Sequence, residues 1–156
     1  MLDLTGGLSD ALVAEDKAAL SDLFTAVEES KSEVPKCDVL FLYATLGDGG
    51  TLQGTEHYLR ATIRDSGAKI VVVASENPNP APERSKPVYG RANLVITIAR
   101  NGASFSKFFR ELFAQMKKGK PMPMAWVKLA PQIPNREHPD CPGTIFLCEV
   151  GGVTLG

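Results

Sequence analysis

Lys69-Ile70-Val71-Val72-Val73-Ala74-Ser75 is the stretch that decides the fold. Its apolar residues are continuous rather than alternating, so both faces of the strand they form must be covered, as in a parallel sheet flanked by helices. Asp38 to Ala44 upstream repeats the pattern with Val39, Leu40, Phe41, Leu42 and Tyr43, too short for a helix and rich in strand formers. Between the two, a helix is expected from about Leu52 or Thr55 to Ser66, with Leu59, Thr62 and Ile63 on one face. Gly67 is its natural stop, because glycine enters the left-handed conformation without steric cost.

Working outward, Leu94 to Ala99 reads as a third strand and Ser104 as the cap of a third helix. That helix carries a stripe of Phe105, Phe108, Phe109, Leu112, Phe113 and Met116. Lys117 and Lys118 suit the negative end of its dipole, and Gly119 ends it. Ser9 to Ser30 has Leu12, Val13, Leu20, Leu23, Phe24 and Val27 at helical spacing, which makes residues 1–35 an acidic N-terminal helix packing on the sheet. Met124 to Ala130 is expected as a fourth strand and Thr144 to Val150 as a fifth. The proline-rich segment between those two has no helical period, so the final pair is expected as an antiparallel edge or a meander. Residues 76–93, with Pro78, Pro80, Pro82 and Pro87, form a long connection.

The expected fold is therefore α/β, a three-layer sandwich with a short, mostly parallel sheet of about five strands, flavodoxin-like or caspase-like. The first and third helices are expected to cover its two faces. A length of 156 residues fits a single domain, 1–156. The 44% apolar and 22% charged residues are globular values, which sets disorder aside. No apolar run approaches the roughly 20 residues that span a bilayer, and the first residues lack the basic start and apolar core of a secretory signal. Cys37, Cys141 and Cys148 form no disulfide framework, so a cytoplasmic, reducing setting is the expectation.

Charge is unevenly spread. Residues 1–33 hold eight acids against Lys17 and Lys31, a net −6, while residues 84–120 hold nine bases against Glu111, a net +8. An anionic small molecule or an acidic protein partner would suit the basic half; equally, acidic and basic faces balance within one fold. Nucleic-acid binding is not expected, since the phenylalanines of the basic segment belong to the helix's core face.

In open α/β sheets ligands sit beyond the carboxyl ends of the strands. Three such ends are readable: Asp48-Gly49-Gly50-Thr51, Ser75-Glu76-Asn77, and Arg100-Asn101 leading to Ser104. Glycines let a ligand approach the backbone, while Asp48, Glu76 and Arg100 could orient it. The same residues also serve strand-to-helix turns without any ligand. The glycine loop lacks both the Lys-Ser/Thr ending of a phosphate loop and the dinucleotide fingerprint, so no cofactor is assigned. His138 and Cys141 lie three apart without a second pair to complete a zinc site, and no metal is expected. His57, beside Glu56 in the first turns of the second helix, is a candidate general acid or base. Cys37 and Cys148 read as structural, and Trp126 on its expected strand as core or interface. No Ser-His-Asp, Cys-His or paired-carboxylate set can be assembled.

Val39-Leu40-Phe41-Leu42-Tyr43-Ala44-Thr45-Leu46-Gly47 resembles the strand and turn that carry the nucleophile in the second half of caspase-like CHAT proteases. Leu59 to Val73, Phe108-Phe109 with Gly119-Lys120-Pro121, and Thr144 to Gly151 are similar to that family's following helix, strand, late helix and closing strand. The resemblance implies a catalytically dead relative. The family's cysteine aligns with Ala44, and one acidic helix stands where its histidine-bearing half would be. Asp38 to Phe41 and Ala68 to Glu76 resemble TIR-type domains to a comparable extent. Both likenesses bear on the fold. The lack of a catalytic constellation and the −6/+8 charge split lead to the expectation of a non-catalytic ligand-binding or protein-interaction module, as a homodimer or with an anionic partner, using the strand-end rim and the basic third helix. The other expectation is a small enzyme acting on a nucleotide-like or phosphorylated metabolite at the strand ends.

Overall fold

A computed structural model describes residues 1–4, 10–74, 92–97, 104–129, 145–148 and 150–156. Among the described residues, five strands and four α-helices follow one another as β1 (Leu2–Asp3), α1 (Asp10–Leu20), β2 (Val39–Tyr43), α2 (Leu59–Ser66), β3 (Ile70–Ala74), β4 (Asn93–Thr97), α3 (Ser104–Lys117), α4 (Met122–Leu129) and β5 (Ile145–Leu147). The strands form one sheet in the order β1-β2-β3-β4-β5. The first four are parallel, and β5 runs antiparallel to β4 with Val95 opposite Phe146. The chain is thus an α/β protein with a short, mostly parallel sheet between two helical layers.

Alternate residues of each strand enter two cores. On one face Phe41, Tyr43, Ile70, Val72 and Val95 meet α1, α3 and α4. On the other, Leu40, Leu42, Val71, Val73 and Leu94 meet Leu59 of α2 and the loop leucines 46 and 52. Continuous apolarity in β2 and β3 is explained by this double burial. The first face is aromatic: Phe41 meets Phe105, Phe109 and Phe113 edge-on at ring-centre distances of 6.3, 5.4 and 6.0 Å. Edge-to-face rings at such separations gain electrostatic attraction beyond their buried area.

Three expectations are corrected. Residues 124–129 of the expected fourth strand are not a strand: Met122 to Leu129 is helical, with Met122 and Ala125 fully buried in the aromatic core and Trp126 and Leu129 packed beside them. That spacing of i, i+3, i+4 and i+7 is a helix's apolar face, and Pro121 and Pro123 sit at its start, where a missing N–H costs nothing. Trp126 accordingly stacks on Phe146 at 4.8 Å from a helix, not from a strand. The first and third helices lie on one face together, leaving the other to α2. Finally, α1 stops at Leu20; Leu23, Phe24 and Val27 pack against the core from irregular chain.

β1 is an addition to the sequence reading. It has two residues, and its outer edge is closed by Ser30, whose N–H donates to the Met1 carbonyl and whose carbonyl accepts from the Asp3 N–H. Covering an edge in this way removes a template for pairing with another chain. Gly67 ends α2 as read, with φ of 69° and its N–H on the Ile63 carbonyl.

Both cysteines among the described residues are free. Cys37 is half-buried, and burial pushes its thiol above the usual range, whereas Cys148 is exposed. Because the thiolate is the nucleophile, iodoacetamide at neutral pH is expected to label Cys148 well before Cys37. Raising the pH through the alkaline range should accelerate Cys37. Peptide mass analysis over a time course reads both; faster labelling of Cys37 would contradict its burial.

Candidate functional site

The chain leaves β1 for α1 on one face and β2 for α2 on the other, although both crossovers step the same way along the sheet. The two connections therefore have opposite hand, which makes one of them the rare left-handed kind. Divergence of neighbouring strand ends to opposite faces is the topological switch at which open α/β sheets take ligands. Here it falls between the carboxyl ends of β1 and β2.

The β2 end continues into residues 44–58, a loop that closes on itself. The Gly47 N–H donates to the Thr51 carbonyl at 2.8 Å, the Gln53 N–H to that of Thr45 at 2.9 Å, and the Leu52 N–H to that of His57 at 3.0 Å. Leu46 and Leu52 pair as an isolated bridge and plug the core beneath. The Thr55 hydroxyl donates to the Leu52 carbonyl and accepts from the His57 N–H. Gly49 and Gly50 take φ of 68° and 80°, a left-handed turn that a side chain would strain. Gly47 is needed for space instead, because a Cβ there would stand 2.5 Å from the Thr51 Oγ1. Gly47→Ala is expected to cost about 1–2 kcal/mol, in the range of overpacking, and Thr51→Ala should recover much of it. Urea denaturation of the two single variants and the double variant checks this; additive losses would contradict the clash.

Among the sequence-identified residues, Asp48 opens the 3-10 turn Asp48–Gly50, with Gly49 exposed and Gly50 buried. Thr51 is half-buried and bridges to Tyr58. Ser104 is the first residue of α3. Ser75, Glu76, Asn77, Arg100 and Asn101 lie outside the described residues, as do His138 and Cys141. His57 precedes α2 rather than occupying its first turns, because the helix begins at Leu59 after an extended Tyr58.

Sequence reading missed a polar cluster under the same strand ends. Asp3 and Tyr43, the last residues of β1 and β2, are in register, and both are buried. The Tyr43 hydroxyl donates to the Asp16 Oδ2 at 2.8 Å, with both residues 0% exposed. Beside them the buried Ser106 at the start of α3 donates to the Glu15 Oε1 at 3.2 Å. Polar groups are costly to bury, so placing carboxyl, phenol and hydroxyl groups here gives this end of the core a defined hydrogen-bonding geometry. A signal was present: Asp16 stands three residues after Val13 and four before Leu20, on the apolar stripe of α1.

The uneven charge is resolved in part where α1 and its following turn meet α3. Arg110 donates to both Asp22 carboxylate oxygens and to the Ala19 carbonyl, and Lys117 donates to the Leu23 carbonyl. The Arg110 guanidinium holds the exposed Asp22 carboxyl below its usual range. Basic α3 and the acidic N-terminal segment therefore face each other. Among the described residues, no group of three or more His, Cys, Asp or Glu side chains is arranged to hold a metal, and no helix is long and apolar enough to cross a membrane. Comparison with family models, with curated proteins and with solved structures finds no match.

Proposed function

We propose that this chain is a ligand-binding or protein-interaction module with a flavodoxin-like or caspase-like fold, acting in the cytoplasm through the carboxyl-end rim of its sheet. The observation that carries the reading is the departure of the chain to opposite faces from the adjacent ends of β1 and β2. The self-closed loop at residues 44–58 supports it by offering a fixed wall, with Asp48, Gly49, Gly50 and Thr51 at its tip. In this reading Ser75, Glu76, Asn77, Arg100, Asn101 and Ser104 complete the rim. The partner is an anionic small molecule or an acidic protein segment, bound by a monomer or a homodimer.

The test is a thermal-shift screen of nucleotides, flavins, sugar phosphates and acidic peptides, repeated over a salt series. A compound at about 100 times its Kd should stabilise the fold by ~2.7 kcal/mol, and the shift should vanish in Asp48→Ala or Arg100→Ala and shrink with salt. A shift indifferent to both substitutions, or no shift with any compound class, would count against the rim. Chemical conversion of a hit would move the assignment to a small enzyme acting on a nucleotide-like or phosphorylated metabolite.

A further inference from the structure

A pocket of about 620 Å³ opens at the opposite, amino end of the sheet, between the turn after α1 and the first residues of β2. Its size lies within the range of small-molecule sites. Leu23, Phe24, Val27 and Val39 line it and stay half-exposed, although each packs against the aromatic core, and the buried Phe41 adds to the lining. Apolar side chains left partly open inside a concavity mark a place where an apolar body can be covered. Burial also pushes the Cys37 thiol up and the Met1 amine down, each toward its neutral form, so this wall disfavours charge.

The pocket's lining also includes exposed lysines. The ends of α1 and α3 carry partial negative charge here, which repels anions. Lys117, however, already donates to the Leu23 carbonyl, and Arg110 to that of Ala19. Lys36 and Lys69 come from separate segments ahead of β2 and β3, and both line the pocket. Lys69 holds Asp38 only loosely, at 3.5 Å with both side chains largely exposed, a pairing worth about 0–1 kcal/mol and easily exchanged. Lys36 donates to the Asp65 carbonyl. The exposed Asp65 carboxyl is held below its usual range first by Arg64, its direct partner at 2.7 Å, and further by Lys36, so Lys36 is not locked in an ion pair.

We propose that this amino-end pocket binds a small amphipathic anion, its apolar body against Leu23, Phe24, Val27 and Val39 and its anionic head at Lys36 and Lys69. The site is independent of the rim proposed above and lies at the other end of the strands. Octanoate, with 1-octanol as its neutral counterpart, is the probe. Calorimetric titration of the full chain is expected to give saturable one-to-one binding of octanoate. Lys36→Ala with Lys69→Ala should weaken it by about tenfold, the equivalent of ~1.4 kcal/mol, and leave octanol unchanged.

Ala26→Trp, which places bulk in the lining from an exposed position, should abolish binding of both. All three positions are on the surface, so unchanged melting temperatures are expected to show intact folds. Octanoate should also slow alkylation of Cys37, which lines the pocket, without protecting the exposed Cys148. Absence of saturable octanoate binding would overturn the proposal. So would equal affinity in the lysine double variant, undiminished binding by Ala26→Trp, or equal protection of the two cysteines.

Discussion

Phe41→Ala is expected to destabilise the protein by about 3–5 kcal/mol, the cost of removing a buried phenyl ring and leaving a cavity. Phe41 is 3% exposed, sits in the second strand of the sheet, and contacts three rings of α3. Those rings are held by the α3 backbone and by one another, so the site cannot collapse onto the missing volume. Domains have roughly 5–15 kcal/mol in all, so one substitution removes a large share. At ~2–4 °C per kcal/mol for this chain length, the melting temperature should fall by roughly 6–20 °C. Phe41→Leu keeps most of the volume and should cost under about 1.5 kcal/mol. Phe24→Ala is the internal comparison: Phe24 meets Phe113 at 5.5 Å but is only half-buried, and should lose much less. Guanidinium unfolding curves measure all three. Equal losses at Phe41 and Phe24 would contradict the described core.

Tyr43→Phe is expected to cost about 1–3 kcal/mol, because it removes the hydroxyl that donates to a carboxyl group with no exposure to water. The ring and its packing remain, so the loss reports the hydrogen bond. Asp16→Leu alone takes away the phenol's carboxyl acceptor and leaves the weak contact with the Met1 Sδ at 3.9 Å, and should cost a similar amount. Replacing both partners with apolar groups is often close to neutral, and the double variant Tyr43→Phe with Asp16→Leu should be markedly more stable than the sum of its parts. A double-mutant cycle gives the coupling directly. Near-additive losses would mean that Asp16 and Tyr43 act through different partners. A large coupling would establish that buried polarity under β1 and β2 is organised rather than incidental.

The fold was legible where local pattern and tertiary role agree. Ile70 to Ala74 and Val39 to Tyr43 are strands because continuous β-branched and aromatic residues suit double burial, and Gly67 stops α2 because of its left-handed φ. It was not legible where a short apolar run suits two periods. Met124 to Leu129 has no strand-specific alternation, and its helical face emerges only against the aromatic core. β1 escaped reading because two residues carry no period; it exists through pairing with β2 and Ser30. Which face a helix covers is likewise a tertiary fact, and α1 and α3 share one face through a common apolar core, with the Asp16–Tyr43 and Glu15–Ser106 hydrogen bonds beside it.

At the candidate site, the sequence offered two roles for the glycines of residues 47–50, turn building and ligand approach, and the structure bears on the first. They build a closed turn first, and any ligand contact comes in addition. The Asp16–Tyr43 pair went unread because Tyr43 was counted with its apolar neighbours, while Asp16 was counted only as one acid among eight. Its place on the inward stripe of α1 was the better clue.

The most direct test of the functional reading is a backbone-amide chemical-shift map, recorded with a compound from the screen that raises the melting temperature. Shifts concentrated at Asp3, Leu4 and Ala44 to Tyr58 are the predicted result, since these residues flank the switch between β1 and β2. Shifts concentrated instead at residues 23–28 and 36–39 would contradict a carboxyl-end functional surface and give the ligand to the amino-end pocket.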